Sequence, residues 1–94
     1  MSTITKKKTE SKLDELLSKP YMLILHNDDH NTFDWVIKCL IQICGHESEQ
    51  ATQCAHIIHF NGQCDIKRGD LETLEVMKEK LTNCGLLVTI ESVD

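Results

Sequence analysis

Ninety-four residues, 27% of them charged and 40% hydrophobic, suit one domain with a single modest core. The net charge of −5 is unevenly spread, with +2 on residues 1–19 and −7 on residues 20–94. An acidic folded part repels a phosphate backbone and argues against nucleic acid, and no apolar run is long enough to span a membrane.

The first nineteen residues are polar and Lys-rich and end against Pro20, the only proline. Leu13, Leu16 and Leu17 could make one amphipathic turn, so residues 1–19 read as a flexible N-terminal tail and residues 20–94 as the folded domain. No apolar stretch follows the lysines as a secretory signal requires, and the chain reads as cytoplasmic. YMLILH, residues 21–26, is a short apolar run expected to form a strand, which Asn27-Asp28-Asp29 breaks as a turn. The first helix is expected to start near Asn31, whose side-chain oxygen would cap the amide of Phe33 or Asp34. Phe33, Val36, Ile37, Leu40 and Cys44 then form its buried stripe, and Gly45 ends it.

A second helix from Ser48 carries Ala51, Cys54, Ala55 and Ile58 on its apolar face, with His59 at the border, and Asn61-Gly62 closes it. Cys64-Asp65-Ile66 reads as a short strand. Asp70 is the expected cap of a third helix bearing Leu71, Leu74, Met77 and Leu81, stopped by Asn83-Cys84-Gly85. LLVTIES then alternates apolar and polar residues, the period of a half-buried strand. The order β-α-α-β-α-β describes a small single-domain α+β sandwich, a three-stranded sheet packed on three helices.

Enzyme chemistry lacks its parts. No serine or cysteine sits in a nucleophile elbow and no Gly-rich loop could cradle a phosphate, so neither catalytic residues nor a cofactor are expected. The five cysteines form no C-x-x-C and read as reduced, mostly buried small hydrophobes. His56 and His59, one helical turn apart with Cys54 beside them, are the nearest approach to a metal site. A lone pair is weak, and no metal is expected. Local turn chemistry accounts for each of Asn27, Asp28 and Asp29 taken singly, and an edge-of-core role accounts for His59. Only their combination points to binding.

An N-D-D turn after the first strand, a helix directly behind it, and a downstream Ala51-Thr52-Gln53 leading to Ile58-His59 resemble ClpS, the adaptor family of the bacterial Clp protease. The resemblance spans residues 20–94 and is strongest over 25–62. It implies an adaptor that binds N-terminal degron residues (Leu, Phe, Tyr, Trp) of substrate proteins and delivers them to the N-terminal domain of a Clp AAA+ unfoldase. Carried over by position, Asn27, Asp28 and His59 hold the α-amino group with Asp29 nearby, while Asn31, Phe33, Val36, Ala55, Ile58 and Leu86 belong to the side-chain pocket. Glu72 and Thr73 match the family's ATPase-docking motif, and the N-terminal extension engages the unfoldase. Four positions depart from the family pattern: its usual Thr-Pro is Asn31-Thr32, a methionine at the pocket mouth is Phe33, and another lining methionine is Ala55. The family's docking lysine falls at Leu74. These departures support an alternative reading, a regulatory Clp ATPase-binding domain without degron recognition. A third is a metal or redox domain using His56, His59 and the cysteines.

Overall fold

The strand β1 (Tyr21–His26) lies between two antiparallel neighbours, β2 (Gln63–Gly69) and β3 (Leu87–Ser92). This central place explains its apolar run, since Leu23, Ile24 and Leu25 are all buried although successive side chains point to opposite faces. Leu23 and Leu25 enter the main core cluster, and Ile24 lies outside it. The pairing of β1 with β2 slips once. Leu23 faces Lys67 but Ile24 faces Asp65, so Ile66 is the extra residue of a bulge, and it is buried. The computed structural model describes residues 20–93, and the tail expected over residues 1–19 lies outside them.

Three helices complete the fold: α1 (Phe33–Cys44), α2 (Ser48–Asn61) and α3 (Leu71–Asn83). The α3 helix packs against all three strands and against α1, while α2 packs against α1 and β2. Leu40, Leu74 and Leu81 are fully buried between the layers, each contributing about 1.5–3 kcal/mol by leaving water. Asp70 caps α3 as expected, its carboxylate accepting from the Thr73 amide at 3.1 Å and the Thr73 hydroxyl at 2.7 Å.

The first helix departs from expectation at its start. Thr32, not Asn31, is the cap, its hydroxyl accepting from the Trp35 amide at 3.1 Å. Phe33 is 37% exposed and Leu71 is 41% exposed, although both fall on apolar faces by spacing. Each is the first residue of its helix. The strand expected at Cys64-Asp65-Ile66 is longer than its apolar signal because β2 is an edge strand, with Asp65, Lys67 and Arg68 facing water.

All five cysteines are free, and Cys39, Cys44 and Cys54 are buried. Burial first, and the neighbouring Cys84 thiol second, push Cys39 up to about 11, so it stays protonated at neutral pH. The Sγ atoms of Cys54 and Cys64 lie 2.7 Å apart, joining α2 to β2.

Candidate functional site

The site begins where β1 ends. His26 is tied to β3, its Nε2 lying 2.7 Å from the Thr89 hydroxyl. The next amide, that of Asn27, donates to the Gly62 carbonyl at 2.8 Å. Gly62 has φ of 90°, a left-handed conformation open to glycine without penalty, and its own amide closes α2 on the Ile58 carbonyl at 2.8 Å. The turn after β1 is thereby fastened to the end of α2 that bears His59.

Asp28 folds back on its own chain. Its Oδ1 accepts from the His30 amide at 2.9 Å and the Asn31 amide at 3.0 Å, a turn built from aspartate chemistry. Asn31 Nδ2 lies 2.9 Å from Oδ1 and 2.7 Å from Oδ2, and it also donates to the Gly85 carbonyl at 2.8 Å. Two hydrogens on that nitrogen serve one partner each, so Asn31 clamps the N-D-D turn to the chain before β3. The bonds from Nδ2 fix the orientation of the Asn31 amide group, and the helix cap is supplied by Thr32 instead. Partial desolvation pushes the Asp28 carboxyl up, but the His30 and Asn31 donors outweigh it and hold it below the ordinary aspartate value. Asp28 is therefore ionised at neutral pH, with its Oδ2 bonded only to Asn31 and able to accept one more donor.

Around this turn lies a cavity of about 250 Å³. Its lining includes all ten residues expected from sequence at the amine site and side-chain pocket: Asn27, Asp28, Asp29, Asn31 and His59 among the polar ones, and Phe33, Val36, Ala55, Ile58 and Leu86 among the apolar ones. Ala55, Ile58 and Leu86 are buried and form the floor, whereas Asn27, Asp29 and His59 are exposed at the rim. Three more lining residues, Leu25, His26 and Thr32, were not expected. Strand alternation was the available signal for Leu25, which shares its face with Leu23. The side chains of Asn27, Asp29 and His59 make no hydrogen bond to another described residue. An apolar well thus sits under a ring of uncommitted acceptors.

Glu72 and Thr73 lie elsewhere, in a separate groove with Ile43, Asp70, Val76, Met77 and Lys80. Thr73 is engaged by Asp70, whose carboxyl is held low first by the Thr73 hydroxyl and then by its amide. Leu74, the position of the family's lysine, is 0% exposed and belongs to the core rather than to any docking surface. Among the described residues no group of three or more His, Cys, Asp or Glu side chains is placed to hold a metal ion, and no helix is long and apolar enough to cross a membrane.

The family model for ATP-dependent Clp protease adaptor protein ClpS matches residues 17–89. The chain belongs to the ClpS family. It is 36% identical over 67 residues to the ClpS of Thermosynechococcus vestitus, covering 70% of this chain and 71% of that protein. It is also 30% identical to the ClpS of Synechococcus elongatus, with both chains covered over their full length. Among solved structures, ClpS2 of Agrobacterium tumefaciens bound to L-phenylalaninamide superposes with a TM-score of 0.76 at 20% identity. That match covers 80% of this chain and 98% of the other and shows a shared fold. ClpS proteins are adaptors of the Clp protease rather than catalysts, and this chain's partnership with that protease follows from its family.

Proposed function

We propose that this ClpS-family chain binds the first residue of substrate proteins that begin with Leu, Phe, Tyr or Trp and hands them to the N-terminal domain of a Clp AAA+ unfoldase. The observation that carries this reading is the pairing, in one cavity, of an acceptor-rich rim with a buried apolar floor. A protein's α-amine has a pKa near 8, so at neutral pH it is mostly a cation with three donors. Asp28 Oδ2, the Asn27 side-chain oxygen and one imidazole nitrogen of His59 offer three acceptors, and Asp29 adds negative charge beside them. Few N-termini other than those of bulky apolar residues would also fill the floor, where burying a Leu or Phe side chain is worth about 1.5–3 kcal/mol. L-phenylalaninamide, the ligand of the similar Agrobacterium protein, combines a free α-amine with a benzyl group, the same two features this cavity would accept. We assign docking on the ATPase to the α3 groove that holds Glu72 and Thr73.

One observation favours the second reading, an ATPase-binding regulator without degron recognition. Three of the donors around Asp28 are internal, so its carboxylate is already largely used. Fluorescence anisotropy with peptides that differ only in their first residue separates the two. Degron recognition requires micromolar-scale binding, about 8 kcal/mol, for Phe- and Leu-initiated peptides and none for a Gly-initiated one. A flat response across the panel, with ATPase binding retained, would favour the regulator.

A further inference from the structure

Four rings on α1 and α2 continue outward from the cavity. Phe33 and His59 line it, and both rings contact neighbours beyond it. The Phe33 ring meets His56 edge-on with centroids 4.8 Å apart. His56 in turn lies nearly parallel to Phe60, at 9° and 6.5 Å. Phe60 closes the cluster on His59, edge-on at 5.2 Å. Phe60 is 78% exposed, the highest value among the large hydrophobic side chains left exposed, and His56 is exposed as well. The core accounts for none of this, since His56 and Phe60 lie off the buried face formed by Ala51, Cys54, Ala55 and Ile58.

We propose that Phe33, His56 and Phe60 form a second subsite that takes the side chain of the residue following the degron, favouring an aromatic side chain there. This rests on the reading of the cavity as the degron pocket. With the first side chain on the floor and its amine at His59, the next Cα lies about 3.8 Å from the first and must sit over the rim. On the α2 side that rim is His59, and the surface beyond it is the ring of His56 or Phe60. The strip is continuous with the pocket through Phe33, which lines both, and through the contact of Phe60 with His59, and its exposed rings can receive a further ring edge-on or offset. A single chain segment would then satisfy both: its first residue the well, its second the strip.

The test is anisotropy with Phe-Trp-, Phe-Gly- and Gly-Trp-initiated peptides of otherwise identical sequence, on the wild-type protein and on Phe60→Ala and His56→Ala. An aromatic contact predicts that wild type binds the Phe-Trp peptide about threefold to tenfold more tightly, and that Phe60→Ala brings the ratio close to one without weakening Phe-Gly binding. Phe60 is mostly in water, so its removal leaves the fold in place, which circular dichroism checks. A wild-type ratio of one, or a ratio unchanged in both variants, would overturn the second subsite while the first-residue preference stands. Loss of all dependence on the first residue would instead overturn the degron reading, and this inference with it.

Discussion

Asn31→Ala removes the clamp that joins the N-D-D turn to the chain before β3. Two hydrogen bonds disappear. The one to the Asp28 carboxylate, 2.7 Å from Oδ2, is charge-assisted, and the one to the Gly85 carbonyl spans 2.8 Å. Bonds to charged groups contribute about 1.5–3 kcal/mol and neutral ones about 0.5–1.5 kcal/mol, and because Asn31 is half-buried and the Gly85 carbonyl can turn to water, the lower ends apply. The expected loss is about 2 kcal/mol, which in a domain of this size lowers the melting temperature by about 8–16 °C. The effect carries a pH signature. Asp28 is depressed in the folded protein, so its contribution is present above the unfolded aspartate pKa of about 3.9 and is lost as pH falls through the lower folded value. Wild type and variant should therefore differ most above about pH 4 and converge in stronger acid as Asp28 protonates. Thermal unfolding by circular dichroism from pH 2 to 7, with a carboxyl-carbon NMR titration of Asp28, measures both. Melting temperatures within about 2 °C of each other at every pH, with the Asp28 titration unmoved, would refute the clamp.

Three further outcomes follow from the same geometry. His59→Ala should weaken binding of Phe-initiated peptides at least tenfold and leave the melting temperature unchanged, because His59 is exposed and at the rim; calorimetric titration beside a melting curve separates the two effects. Ala55 is buried in the floor, so Ala55→Met should fill the well with three added heavy atoms and narrow any preference for aromatic over Leu N-termini; equal affinities for Phe and Leu peptides in wild type would show that the floor lacks that spare depth. Oxidised glutathione should join Cys54 to Cys64, whose sulfurs are 2.7 Å apart, by exchange through a mixed disulfide that releases two equivalents of reduced glutathione. The check is a mass loss of about 2 Da and a mapped 54–64 cross-link, absent in Cys64→Ser.

Much of this was legible from sequence because the signals were local. Gly45 and Gly62 end their helices where a left-handed residue was needed, Asp70 caps α3, and the ten residues singled out around the N-D-D turn line one cavity. What could not be read depended on distant partners. Asn31 and Thr32 are both good caps, and the Asn31 amide group is bound to the Gly85 carbonyl, 54 residues further on. Periodicity marks the apolar face of a helix but not how fully its first turn is covered, and Phe33 and Leu71 are exposed. The approach of Cys54 to Cys64 needs the register of β2 against α2, which nothing in the sequence states.

The central claim, that the rim of acceptors receives a free α-amine, is tested most directly by one pair of peptides. Both begin with Phe and differ only by an acetyl group on the first nitrogen, which removes the charge and all but one of the donors. Leaving Asp28 without its cationic partner once the bound peptide covers it costs about 2–5 kcal/mol, so the free peptide should bind at least about 30-fold more tightly than the acetylated one. Equal affinities would contradict the assignment of Asn27, Asp28 and His59 to the amine.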